Sequence, residues 1–175
     1  PKEGGRDALA LPRKRENMEM SIFEGAGPVM VGPSSSHTAG AAKLARIAAD
    51  IAGGPLRSVS FGLHGSFAKT YRGHGTDRAL VAGALGLRED DARLPQSCAL
   101  AREVELEWDF REIHLEGAHE NTVEMRFVRQ DGRECVVVGA SVGGGEIRIT
   151  NVDGFETKLS ARSATLVIWQ YDRKG

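Results

Sequence analysis

A chain of 175 residues with 41% hydrophobic side chains is long enough for one cored domain, and no apolar run approaches the ~20 residues of a membrane helix. Its net charge of −1 gives no basic surface, so neither nucleic acid nor a membrane is expected as a partner. Cys98 and Cys135 form no CxxC pair and fall short of the roughly four ligands that a zinc ion or iron–sulfur cluster takes.

Residues 1–19 are polar and charged without an apolar period, and they read as a disordered tail or tag. No hydrophobic signal segment opens the chain, so a reducing cytoplasm is expected. In that setting Cys135, within Cys135-Val136-Val137-Val138, reads as a buried free thiol.

Gly32-Pro33-Ser34-Ser35-Ser36-His37-Thr38-Ala39-Gly40 is a hydroxyl-rich loop running into an alanine-rich helical segment. Leu44, Ile47, Ala48 and Ile51 share one helical face, and Gly53-Gly54-Pro55 ends it. A helix start accommodates an anion, whereas a serine there also caps the helix. One cap needs one hydroxyl, and this loop carries four, which points to a small-molecule site.

Val59, Phe61 and Leu63 alternate with small residues as a strand. A second glycine-rich loop follows, from His64-Gly65-Ser66 to Gly73-His74-Gly75-Thr76-Asp77. It opens a helix with the apolar stripe Leu80, Val81, Ala84 and Leu85, and Thr76 or Asp77 is expected to cap it. Glycines on both sides leave the His74 ring uncovered, whether as a reactive group or in a plain water-facing turn.

The second half reads as strands: Val104, Leu106 and Trp108 alternate with glutamates, and Val123, Met125 and Phe127 alternate with polar residues. Asp131-Gly132 predicts a hairpin returning through Glu134 to Val142. Ser141-Val142-Gly143-Gly144-Gly145 ends that strand in a flexible tip or a close approach of backbone and ligand. His114, His119 and Asn121-Thr122 read as a surface turn. Ala164–Tyr171 is a β-rich run. The expected fold is α+β, with two helices packed on a mixed, largely antiparallel sheet. If the two histidine loops meet at one sheet edge, they gather two imidazoles and several hydroxyls around one anion.

Ser21-Ile22-Phe23, Gly32–Thr38, Leu63-His64-Gly65-Ser66, Gly73–Asp77 and Ser141–Gly145 occur in the order found in the β subunit or β domain of iron–sulfur-dependent bacterial L-serine dehydratase. The chain resembles that family from about Met20 to Phe155. The resemblance implies conversion of L-serine to pyruvate and ammonia without pyridoxal phosphate. It implies a [4Fe–4S] cluster ligated by a partner α subunit or domain, no metal ligand in this chain, and an inactive isolated chain. It implies that His37 and His74 face the shared active site, one as base and the other orienting substrate. Ser34, Ser35, Ser36, Thr38, Gly73, Thr76, Asp77, Ser141, Gly143 and Gly144 would bind substrate or order the imidazoles. Residues 20–160 would form the dehydratase β domain, and residues 161–175 the start of an ACT-like domain. An unpaired strand there favours self-association, which adds a homodimer to the expected partners. The fold also resembles the allosteric substrate-binding domain of D-3-phosphoglycerate dehydrogenase, whose implied function is a non-catalytic module binding serine or another anion.

Overall fold

A computed structural model describes residues 31–168. The tail over residues 1–19, the Ser21-Ile22-Phe23 motif and residues 169–175 lie outside the described residues. The alternation of Val59, Phe61 and Leu63 produces strand β1 (Leu56–Leu63), and all three side chains are buried in one core. Five further strands join it: β2 (Glu107–Glu112), β3 (Thr122–Arg129), β4 (Glu134–Gly143), β5 (Glu146–Val152) and β6 (Phe155–Leu159). They lie in the order β2-β1-β3-β4-β5-β6. Only β1 and β2 run parallel, and every other pair is antiparallel. The sheet is therefore mixed and largely antiparallel, as the sequence implies. Its register sets Phe61 opposite Met125 and Phe127 opposite Cys135, which makes one face continuously apolar.

Among the described residues the two main α-helices are α1 (Ala41–Ala52) and α3 (Thr76–Ala84), with the shorter α2 (Gly65–Thr70) and α4 (Ser97–Glu103) beside them. The buried face of α1 is its alanine stripe, Ala41, Ala45, Ala48 and Ala52, together with Leu44. Ile47 and Ile51, expected in that face, are only half-buried. The cause is close helix packing: Gly83 of α3 lies against Ala42 and Ala45, and a Cβ there would strike the Ala42 carbonyl. Small residues win the interface because the helix axes approach so closely, and the isoleucines pack at the edge of the core.

Three local expectations fail for identifiable reasons. The strand expected at Val104 begins only at Glu107, because Glu105 adopts a left-handed φ of 56° and breaks the extended run. Val104 instead caps α4 and is exposed. Neither Thr76 nor Asp77 caps α3; Gly75 holds the N-cap position with φ of 70°, and Asp77 Oδ1 accepts from Arg78 N. Ala164–Ile168 form no strand, and Leu166 and Ile168 are exposed, so the expected β run is not formed in its described part. Among the described residues no helix is long and apolar enough to cross a membrane.

Candidate functional site

The hydroxyl-rich loop is half helical. Ser35–Gly40 form a π turn that continues directly into α1. The Ser34 carbonyl accepts from both Thr38 N at 3.0 Å and Ala39 N at 3.3 Å, a wide turn of the kind often found at functional sites. Ser34 Oγ accepts from His37 N at 3.1 Å and so supplies the one cap the helix needs. The remaining hydroxyls are then available for other contacts. Ser36 Oγ lies 3.1 Å from His37 Nδ1 and 3.4 Å from Ser34 Oγ. The buried Thr38 hydroxyl donates to the His74 carbonyl at 3.2 Å, which ties the first loop to the second. Ser35 is the half-buried first residue of the turn.

Both histidine loops meet. The His37 and His74 rings stand edge to face with centroids 4.9 Å apart, and Phe67 closes another side of His37 at 5.3 Å. Burial first, and the neighbouring His74 charge second, hold the His37 imidazole below its ordinary value, so it is neutral at pH 7. His37 Nε2 contacts Ser66 Oγ at 3.1 Å. Sequence reasoning gives Ser66 no role of its own, although a hydroxyl just after a strand and a glycine, at the start of a helix, is a usable signal. Gly65 makes that turn with φ of 58°, and a Cβ there would press on the Glu120 backbone. Ser66 is fixed at both ends: its N–H donates to Glu120 O at 2.8 Å, and its carbonyl accepts from Thr70 Oγ1 at 2.8 Å.

The turn at His119–Thr122, read from the sequence as a surface feature, stitches this end of the sheet together. Glu120 O accepts from Ser66 and Phe67, Thr122 O from His64, and Asn121 O from Ser141. His64 itself is structural, with Nδ1 accepting from Leu115 N at 3.2 Å. Ser141 is fully buried beneath the π turn, so close that a Cβ on Gly40 would collide with its Oγ. Ser141 Oγ, Thr76 Oγ1 and Asn121 Oδ1 are buried without a hydrogen-bond partner among the described residues.

Other expected site residues fall into lesser positions. Gly73 and His74 are exposed at the turn before α3, whereas Thr76 is buried and its N–H bonds Tyr71 O. The Asp77 carboxylate is engaged by its own helix start. Gly143, Gly144 and Gly145 carry φ of 103°, 59° and 77° and form the tip of the β4–β5 hairpin. Nothing among the described residues lies within 4 Å of where a Cβ on Gly143 or Gly144 would sit, so the turn itself accounts for these glycines.

The donor set does not suit an iron–sulfur cluster. Cys98 lies on α4, and Cys135 is buried on β4, six residues before Ser141, or about 20 Å along the strand. Burial, then the nearby Asp153 carboxylate, push the Cys135 thiol up to about 12, which opposes the thiolate a cluster needs. Among the described residues no group of three or more histidine, cysteine or carboxylate side chains could hold a metal ion. What the site offers is a neutral imidazole, a second exposed imidazole and a file of hydroxyls. That set can bind a small polar molecule and accept or pass a proton.

A family model described as serine dehydratase beta chain matches residues 21–108, which include both histidine loops and Ser66 but end before Asn121 and Ser141. The chain is 43% identical over 158 residues to the L-serine dehydratase beta chain of Peptoniphilus asaccharolyticus, covering 90% of this chain and 71% of that protein. It is 38% identical over 155 residues to a probable L-serine dehydratase beta chain of Bacillus subtilis (strain 168), covering 89% and 70%. With both imidazoles inside the matched region, and identity sustained over nine-tenths of its length, the chain belongs to the serine dehydratase beta chain family.

Proposed function

We propose that this chain is the β component of an enzyme that converts L-serine to pyruvate and ammonia, with an α component as its partner. The observation that carries the reading is the meeting of His37 and His74 at 4.9 Å beside the Ser34–Ser36–Ser66 hydroxyls. Loss of water from serine requires removal of the α-proton and departure of the β-hydroxyl. The aminoacrylate so formed tautomerises to an imine, which water hydrolyses to pyruvate and ammonia. The two imidazoles border this site, one to take the α-proton and the other to orient the substrate. His74, more exposed, stands where it can orient the substrate or exchange a proton with solvent. The hydroxyls suit the carboxylate and amino groups of an amino acid.

The [4Fe–4S] cluster implied by the resemblance finds no ligand set among Cys98 and Cys135, so in this reading the α component ligates it, without pyridoxal phosphate. When bound, such a cluster supplies a Lewis acid for the substrate hydroxyl. The chain's own part is to bind, orient and move protons. The test is an anaerobic mixture of this chain with a cluster-loaded α component, assayed for pyruvate from L-serine. Turnover in the mixture alone supports the reading. Tight binding of L-serine by this chain with no turnover in any mixture replaces it with a non-catalytic serine-binding module.

A further inference from the structure

One fixed donor anchors the hydrogen bonds around His37. The His37 backbone N–H must donate, so Ser34 Oγ is an acceptor there. The hydroxyl hydrogen of Ser34 is then free to donate to Ser36 Oγ, and that of Ser36 to His37 Nδ1 at 3.1 Å. A neutral imidazole has one donor and one acceptor nitrogen. With Nδ1 accepting, Nε2 carries the hydrogen and donates to Ser66 Oγ at 3.1 Å. Chains aligned in one direction strengthen each member, so mixed orders are disfavoured. Ser66 Oγ then accepts from His37, and its own hydrogen is left to donate outward. Ser66 is half-buried, next to the paired imidazoles, and its backbone is locked by Glu120 and Thr70.

We infer that Ser66 is a substrate-binding residue: the Ser34–Ser36–His37 relay aims its hydroxyl at the carboxylate of the bound amino acid. The inference rests on the dehydratase reading for the identity of the ligand, and on the contacts of His37 with Ser36 and Ser66 for the relay. Ser36 acts as a positioning residue, since it reaches the ligand only through His37.

Two measurements test it. Nitrogen-detected NMR of the histidine rings in this chain, at a pH where His37 is neutral, should show a protonated Nε2 and a bare Nδ1, with the signals assigned by their loss in His37→Gln. A protonated Nδ1 overturns the relay. In the assembled enzyme, Ser66→Ala should raise KM for L-serine by roughly 10- to 100-fold, the loss of one hydrogen bond to a charged group, with a smaller change in kcat. Ser66→Thr, which keeps a hydroxyl, should restore most of it. An unchanged KM in Ser66→Ala, or failure of threonine to rescue, overturns the assignment. The two readings fail separately: absence of pyruvate with the unsubstituted chain removes the dehydratase reading, and the ring tautomer is read without any turnover.

Discussion

Ser141, near the end of β4, is fully buried directly under Gly40, at the end of the π turn that carries His37. The contact joins the His37 turn to the sheet with no space for a side chain between them. Gly40 has an ordinary helical φ of −63°, so alanine there meets no backbone penalty and gains up to about 1 kcal/mol of helix propensity. Overpacking costs about 1–3 kcal/mol and outweighs that gain. Gly40→Ala should therefore lower the urea midpoint, and adding Ser141→Gly, which removes the colliding atom, should recover part of the loss. Additive effects of the two substitutions in a double-mutant cycle would count against the contact.

Either imidazole should be indispensable to turnover. His37→Ala or His74→Ala in the assembled enzyme is expected to reduce kcat by ~10²–10⁴, the range for loss of a general base or acid. Circular dichroism should show the chain still folded, since His74 is exposed and His37 only half-buried. Normal rates for both variants would remove the histidines from the mechanism.

His74 should also set the titration of its neighbour. Burial is the larger cause of the lowered His37 value and the His74 charge the smaller. His74→Ala should raise the His37 midpoint measured by NMR, yet leave it under the ordinary value of about 6.5 because burial remains. A midpoint that does not move would show that the two rings do not interact electrostatically.

Acid should weaken the fold partly through His37. The folded chain holds this imidazole at a lowered value, so between that value and about 6.5 the unfolded chain binds more protons. Stability therefore rises with pH across the window and is lost on acidification. Urea midpoints measured from pH 7 down to pH 5 should fall less steeply in His37→Gln than in the unsubstituted chain. Parallel curves would show that His37 is not the group responsible.

The cysteines should differ in reactivity. The Cys135 thiol, raised to about 12 by burial and Asp153, is protonated at pH 8, whereas Cys98 is partly exposed. A thiol-specific alkylating reagent should label Cys98 in the native chain and Cys135 only after denaturation, as read by peptide mass spectrometry. Early labelling of Cys135 would contradict its burial.

Much of this architecture could be read from short patterns. The alternation of Val59, Phe61 and Leu63, and the Asp131-Gly132 turn, state their structures locally, because side-chain period and turn geometry are properties of neighbouring residues. The face of α1 could be read that way only in part, since Leu44 and Ala48 are buried as their spacing implies. Ile47 and Ile51 have the right spacing, but Gly83, on another helix, decides which side lies inward. Glu105 likewise breaks a strand pattern through a single backbone angle that its own side chain does not announce.

For the site, residue types were legible and contacts were not. A file of hydroxyls beside His37 and glycines beside His74 marked both loops as unusual. Ser66 and the Glu120–Asn121 backbone escaped notice because their roles depend on β1 and β3 pairing in register, which brings residues far apart in the chain together. The glycine triplet carries two readings in the sequence, and the β4–β5 turn accounts for one of them.

The reliance of the His37 turn on Ser141 bears on the order in which the molecule assembles. Each half of the imidazole pair lies early in the chain, but the floor under them is laid by β4, and the walls by the turn that precedes β3. Contacts between such distant segments form slowly, after the entropy of closing the intervening chain has been overcome. During synthesis, then, a nascent chain that has already displayed both histidines would still be unable to hold a substrate. The surroundings of the imidazole pair are complete only where β3 and β4 are paired.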